Sequence, residues 1–380
     1  MSNAKLPLVT ELTDLAGKYV LVRSSLNVPI DNGEIRNHFR VIRSLPTIEW
    51  LVGQGARVIV CGHIGREKED TLEPVFEYFK QHLTDMIFAP EVASPETKNL
   101  RDGLQNGQVL LLENLRRDPR EKQNDADFAR CLADLADIYV NDAFEASHRE
   151  HASLVGVPQF LPSYFGINFA QEYKELSAAL APEHPSLFIL GGAKFDTKMP
   201  LVEKFLELYD HILIGGALAN DVYKARGLEV GQSLVSDTDL SGSPIINHEK
   251  IILPADVVVQ NASGESRVTI AEDVHPDEVI VDAGPNTVQT IELFSRNAKT
   301  ILWNGPLGNY EAGFSDQTLA CAERIAESPA YTLVGGGDTT AAIESLGNYE
   351  KYSFVSTAGG AMLTFLELGT LPAIEVVLKK

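Results

Sequence analysis

Short apolar runs alternate with amphipathic stretches along almost the whole chain. Tyr19–Arg23, Arg57–Cys61, Val109–Leu112 and Ile138–Val140 are four- or five-residue or shorter runs rich in Val, Ile and Leu, and they read as strands. Val41–Gly53, Leu72–Leu83 and Ala126–Ala136 repeat their apolar positions about every 3.6 residues and read as helices. After the Pro- and Gly-containing stretch Val157–Gly166 the rhythm resumes. It predicts strands at Leu187–Leu190, Ile212–Ile214, Val279–Val281, Thr300–Trp303, Thr332–Val334 and Ser353–Val355, with helices at Val202–Tyr209, Val288–Arg296 and Gln317–Ser328. Apolar strands alternating with helices imply parallel sheets covered on both faces. The pattern gives two such blocks, meeting near residues 162–182, where Pro162 precedes a charged helical segment and Pro182 and Pro185 follow. No fixed-period repeat interrupts this scheme.

Composition narrows the partners. The 380 residues carry 32 Lys and Arg against 53 Asp and Glu, a formal net charge of −21. That balance argues against nucleic acid and anionic membranes, which require cationic surface. A hydrophobic fraction of 44% suits a chain that buries a substantial core, so disorder is a poor description. Only three cysteines occur, far apart, so neither a disulfide framework nor a zinc knuckle is indicated. The first residues show no charged-then-apolar leader, and no apolar run is long enough for a membrane span. The sequence therefore reads as cytoplasmic. The charge is also unevenly spread. Residues 1–180 hold 19 basic and 26 acidic residues, the remainder 13 and 27, and 12 of the 16 arginines lie in the first part.

In open α/β sheets, ligands gather at the carboxyl ends of the strands. In the first block those ends are basic and polar. Arg23 leads into Leu26-Asn27-Val28-Pro29; Cys61 into Gly62-His63-Ile64-Gly65-Arg66; Leu112 into Glu113-Asn114-Leu115-Arg116; Val140 into Asn141-Asp142-Ala143-Phe144, then Ser147-His148-Arg149. Arg40 lies beside a predicted helix. Arginine presents a planar fork suited to carboxylate and phosphate, so several at neighbouring strand ends suggest an anion pocket. In the second block the strand ends are glycine-rich: Gly191-Gly192-Ala193-Lys194 with Lys198 beyond, Gly215-Gly216, Asn304-Gly305-Pro306, and Gly335-Gly336-Gly337-Asp338-Thr339. Glycines let backbone N–H groups approach phosphates, and Asp338 is placed to hold Mg²⁺ riding on them. Neither the Walker A pattern nor G-x-G-x-x-G occurs. An anion pocket in one half and a nucleotide cradle in the other fit a kinase that closes by hinge bending.

The strings Asn27-Val28-Pro29, His63-Ile64-Gly65-Arg66, Glu113-Asn114-Leu115-Arg116, Asn141-Asp142-Ala143-Phe144, Gly191-Gly192-Ala193-Lys194, Trp303-Asn304-Gly305-Pro306 and Gly335-Gly336-Gly337-Asp338-Thr339 occur in the order found in phosphoglycerate kinases. From about Leu12 onward the chain resembles that family. The resemblance implies two Rossmann-like parallel-sheet domains joined by a hinge, with a ligand cleft between them. Residues 1–165, with a returning segment at about 366–380, would bind 3-phosphoglycerate, and residues 166–365 the nucleotide. It implies reversible, Mg²⁺-dependent phosphoryl transfer between 1,3-bisphosphoglycerate and ADP by a cytoplasmic monomer. The substrate residues would be Ser25, Leu26, Asn27, Arg40, His63, Ile64, Gly65, Arg66, Arg116 and Arg149. Arg40, Lys194 and Lys198 would act on the transferred phosphoryl group. Lys198, Asn304, Pro306, Glu311, Gly336, Gly337, Asp338 and Thr339 would hold ATP or ADP, with Asp338 on the metal.

The chain departs from the family pattern at several points. Ser25 stands where a carboxylate usually binds the substrate hydroxyl. A neutral acceptor in place of a charged one is expected to weaken binding about tenfold. Glu145-Ala146 replaces Gly-Thr, Phe195-Asp196-Thr197 replaces the usual residues between the lysines, Ala358 interrupts a glycine run, and Thr364 replaces a common Glu. The alternative implied by these departures is a binding or regulatory protein of the same fold with weakened or lost turnover.

Overall fold

The structure, a computed structural model, describes residues 5–193, 198–240 and 242–379. Two compact units emerge, Met1–Lys174 with Thr370–Lys380, and Glu175–Gly369.

Unit 1 is built on β1 (Tyr19–Arg23), the hairpin β2 (Ile30–Asp31) and β3 (Glu34–Ile35), β4 (Arg57–Cys61), β5 (Met86–Ala89), β6 (Val109–Leu112), β7 (Ile138–Asn141) and β8 (Ser163–Phe165). All but the hairpin form one sheet in the order β5-β6-β4-β1-β7-β8. Every pairing is parallel, with β1 central, Val22 level with Val60 on one side and Val140 on the other. Both faces of β1 are covered, which explains its unbroken apolar run. Val20 and Val22 pack into a core with Val41, Leu45 and Ile48 of the helix Phe39–Gly53. Leu21 packs on the other side with Phe128 and Leu132. β5 and β8 are strands that the sequence pattern missed. β8 lies inside the Pro/Gly stretch, where only three residues pair with β7.

Unit 2 contains β9 (Ser186–Leu190), β10 (His211–Ile214), β11 (Ile251–Ile252), β12 (Val257–Gln260), β13 (Ser266–Thr269), β14 (Val279–Ala283), β15 (Thr300–Asn304), β16 (Tyr331–Gly335) and β17 (Phe354–Val355). Its main sheet runs β11-β10-β9-β15-β16-β17, again parallel throughout. The segment around Val279–Val281 is a strand, as the pattern predicts, but it lies outside that sheet. It joins β12 and β13 in a three-stranded antiparallel sheet. The alternating burial of β12 marks this half-exposed setting, in contrast to the fully buried β9 and β15.

The last helix, Pro372–Leu378, packs on unit 1. Ala373 N–H donates to the Ser147 carbonyl at 3.2 Å, and Ala373 joins Ala143, Ala146 and Leu154 in a small apolar cluster. Among the described residues no single helix is long and apolar enough to cross a membrane.

Candidate functional site

In unit 1 the parallel sheet delivers the ends of β1, β4, β6 and β7 to one edge, and the predicted basic residues follow those ends. Arg23 is wholly buried. Its Nε–H donates to Ser153 Oγ at 3.1 Å, one terminal nitrogen donates to the Ser24 carbonyl at 2.6 Å, and the other lies 2.7 Å from His63 Nδ1. Across the same ring, Arg149 lies 3.5 Å from His63 Nε2. Arg116 donates to the Gly65 carbonyl, and Arg40 to the Asn27 carbonyl at 2.9 Å. Gly65 N–H in turn donates to Asn27 Oδ1 at 2.9 Å. Asn114 ties the loop down from below: its carboxamide donates to the Ile64 and Asp70 carbonyls and accepts from Ile64 and Arg116 N–H. Leu26 and Ile64 are buried beside these groups, and Arg66 is exposed at the rim.

The electrostatics show how close these cations are. Burial, then Arg149 and Arg23, push the Arg116 guanidinium down to about 10. Burial lowers Arg149 too, with Glu145 opposing and Arg23 and Arg40 reinforcing the shift. Burial and then Arg23, Arg116 and Arg149 hold His63 well below the ordinary imidazole range. Arg23, Arg116 and Arg149 thus feel one another around a neutral His63, with Arg66 acting on Arg116 and Arg40 on Arg149, an arrangement that favours an anion. Underneath, Glu121 offsets part of this charge. It is fully buried and accepts from Ser153 N–H at 2.9 Å and Ser153 Oγ–H at 2.6 Å. Sequence reasoning missed Glu121 and Ser153. A four-residue polar helix, Pro119–Lys122, gives no hint that its Glu points inward.

A neutral buried His63 has a consequence for stability. The unfolded chain takes up a proton there below about pH 6.5, the folded chain does not, and stability therefore falls as pH falls through that value. His63→Gln should flatten the stability–pH slope between pH 7 and 5 by about 1.4 kcal/mol per pH unit, read from urea unfolding at each pH. An unchanged slope would show that His63 is protonated in the folded state.

The departures sit around this edge. Ser25 is wholly buried, and its Oγ has no hydrogen-bond partner among the described residues. Glu145 is buried on the turn after β7, and both its carboxylate oxygens likewise lack a hydrogen-bond donor. Asp142, also buried, accepts from Phe169 N–H at 2.9 Å, and burial pushes its carboxyl up to about 7.

In unit 2 the glycine-rich strand ends frame a cavity of about 350 Å³. One end is formed by Gly192, Ala193, Gly216, Ala217 and Asp338. Pro306 and Glu311 line it from the loop after β15, and Tyr223, Leu234, Pro254, Val257 and Ile280 give it an apolar wall. The antiparallel sheet supplies much of that apolar wall, which is why the sequence pattern did not show it. Gly192 has φ +116°, and a side chain there would collide with Lys198 Nζ. Lys198 Nζ donates to the Gly191 carbonyl at 2.8 Å, and burial lowers its proton affinity. Gly336, at φ +103°, starts the helix Gly337–Ser345, whose first turn carries Asp338. Burial and the nearby Glu311 charge raise the Asp338 carboxyl. Thr339 Oγ accepts from Gly305 N–H at 3.0 Å and couples the two glycine loops. Of the expected nucleotide residues, Pro306, Glu311 and Asp338 line the cavity. Asn304, whose carboxamide lies 3.4 Å from Met362 Sδ, and Thr339 support its loops from behind. Lys194 lies outside the described residues.

Comparison with known proteins gives a consistent result. The phosphoglycerate kinase family model matches residues 9–368. A protein named phosphoglycerate kinase from Thermomicrobium roseum is 40% identical over 378 residues, spanning 95% of this chain and 96% of that one. One of the same name from Thermus thermophilus is 41% identical over 381 residues, covering 96% of this chain and 98% of its own length. Among solved structures, phosphoglycerate kinase from Coxiella burnetii superposes with a TM-score of 0.83 at 36% identity, over 98% of this chain and 99% of that one. The Pyrococcus horikoshii enzyme gives 0.84 at 28% identity, over 98% of both chains.

Proposed function

This chain belongs to the phosphoglycerate kinase family, and from that premise we propose how its two sites divide the reaction. It is a phosphotransferase whose acceptor is a carboxyl group, passing a phosphoryl group reversibly between the acyl phosphate of 1,3-bisphosphoglycerate and ADP, with 3-phosphoglycerate and ATP on the other side. The strand-end cluster of unit 1 holds the phosphoglycerate. Arg23 fixes His63 from one side, Arg149 flanks it on the other, and Arg66 and Arg116 add the positive charge that matches a phosphate and a carboxylate. Arg40 reaches toward the transferred group. The convergence of Arg23, Arg116 and Arg149 on one buried neutral imidazole, with Arg40 beside Arg149 and Arg66 beside Arg116, is the observation that carries the assignment.

The unit 2 cavity holds the nucleotide, with phosphates at the glycine end and Glu311 on the ribose. Lys198, and Lys194 with it, stabilise charge on the group in transfer. Asp338 suits Mg²⁺: burial and Glu311, with no cation among the described residues to oppose them, already penalise an isolated charge there, and Mg²⁺ commonly takes one carboxylate with substrate phosphates. When bound, the ion neutralises phosphate charge. Transfer requires the two ligands in line, which the hinge expected from the sequence would supply. A cytoplasmic monomer is part of the same proposal. The reading as a binding protein without turnover is not favoured, because no phosphate-binding Lys or Arg is replaced.

A coupled assay tests this directly: MgATP consumption should depend on added 3-phosphoglycerate. No turnover at saturating substrates, with ADP binding still measurable by calorimetry, would refute it. Ser25 gives a finer test. Its unpartnered hydroxyl is the neutral acceptor for the substrate hydroxyl. Ser25→Asp restores a charged acceptor and should lower KM for 3-phosphoglycerate by about tenfold; an unchanged KM would remove that contact from the account.

A further inference from the structure

The anion pocket of unit 1 carries an acid that no role above uses. Glu145, one of the chain's departures from the family pattern, sits on the turn Phe144–Ala146 after β7 and is 7% exposed. Neither of its carboxylate oxygens has a hydrogen-bond donor among the described residues. A buried carboxylate without donors is costly, and a nearby positive charge is what offsets that cost.

Arg149, four residues further on, supplies that charge. Burial lowers its proton affinity, and the first charge acting on it is Glu145, which opposes that shift. The chain between them is pinned. Asn141 Nδ2–H donates to Ser147 Oγ at 3.0 Å, Ser147 Oγ–H to the Ala143 carbonyl at 2.9 Å, and Arg149 N–H to the Ala146 carbonyl at 3.0 Å. Ala143 and Ala146 pack with Ala373 of the last helix. Nearby Asp142 gives no relief: burial first, and the Glu145 charge after it, push its carboxyl up to about 7. The Arg149 guanidinium also lies 3.5 Å from His63 Nε2, within the proposed 3-phosphoglycerate site. Glu145 and an incoming anion therefore draw on the same cation.

We propose that Glu145 is a built-in counter-ion of Arg149 whose negative charge weakens the pocket's hold on 3-phosphoglycerate, making Glu145 the residue that sets how readily this acid is released. The inference rests on 3-phosphoglycerate occupying the unit 1 pocket as described above. With the pocket empty, the carboxylate balances the guanidinium. With it filled, the carboxylate stays near the anion held by Arg149 and repels it. Little water surrounds Glu145 to screen that repulsion.

Calorimetric titration of 3-phosphoglycerate and of MgADP into the full chain tests it. Glu145→Gln keeps the shape of the side chain and removes its charge, and it should tighten 3-phosphoglycerate by about tenfold with MgADP unchanged. Glu145→Asp keeps the charge and should stay within about twofold of the wild type. Glu145→Ala serves in place of the glutamine variant if that one does not fold. Damage to the fold weakens binding, so a gain in affinity is not what a merely structural role gives. Unchanged or weaker 3-phosphoglycerate binding in Glu145→Gln would overturn the proposal, and so would an equal gain in Glu145→Asp, which would trace the effect to shape instead of charge. Arg149→Met separates this from the underlying reading. If it leaves 3-phosphoglycerate affinity unchanged, the acid lies elsewhere and the pocket assignment itself fails. If it weakens 3-phosphoglycerate while Glu145→Gln gives no gain, only the role of Glu145 fails.

Discussion

Arg23→Met should lower the unfolding free energy by about 3–5 kcal/mol, the usual cost of removing one partner from a buried charge pair. Arg23 has no exposed surface and spends its donors on Ser153 Oγ, the Ser24 carbonyl and His63 Nδ1. Ser153 passes the connection on to Glu121, which is equally buried. Burial raises the Glu121 carboxyl, and the Arg23 charge is the first influence holding it down. Without the arginine, a carboxylate is stranded in the interior and the ring of His63 loses the contact that orients it. The variant should therefore lose 3-phosphoglycerate affinity as well as stability. Glu121→Gln in the same chain removes the stranded charge, so the double variant should recover a measurable part of the stability, read as a positive coupling in a urea-unfolding cycle. Strict additivity would show that Arg23 and Glu121 do not depend on each other.

Lys198→Met should reduce kcat by about 10²–10³, the cost seen when one preorganised charge-stabilising donor is lost. The ammonium is partly buried, held 2.8 Å from the Gly191 carbonyl, and its proton affinity is lowered by that burial alone. A cation with little solvent around it acts strongly on charge developing beside it. Its KM for 3-phosphoglycerate should stay within a factor of about two if that acid is held, as proposed, by the arginines of unit 1. Lys198→Arg should not rescue. Nζ lies close against Gly192, which has no side chain, and a planar guanidinium is wider than an ammonium. Full activity in Lys198→Met would remove this residue from the reacting centre.

Much of this organisation was legible in the chain. Fully buried parallel strands are short apolar runs, so β1, β4, β6, β7, β9, β10 and β15 stand out, and the residues that follow them are where an open sheet puts its chemistry. Arg23, His63, Arg116 and Arg149 could be named for that reason before any coordinates. Three classes of feature were not legible. β5 and β8 are short edge strands, whose pairing depends on a neighbour more than on their own pattern. The antiparallel sheet of β12, β13 and β14 interrupts the α/β rhythm, and with it the apolar wall of the unit 2 cavity was lost. Glu121 sits on a polar helix that would ordinarily face solvent, and Ser153 on the buried turn Ala152–Gly156; the contacts that bring them together, with the charge of Arg23 beside them, come from residues distant in sequence.

On the proposed reading, two separate sets of residues recognise the two substrates, the unit 1 arginines the phosphoglycerate and the unit 2 cavity the nucleotide. Calorimetric titration of 3-phosphoglycerate and of MgADP into Arg116→Met and Asp338→Asn tests it most directly. Arg116→Met should lose 3-phosphoglycerate affinity by at least about tenfold with MgADP unchanged, and Asp338→Asn should do the reverse. If either variant weakens both ligands alike, or each weakens the other's ligand, the division of labour between the two units is wrong.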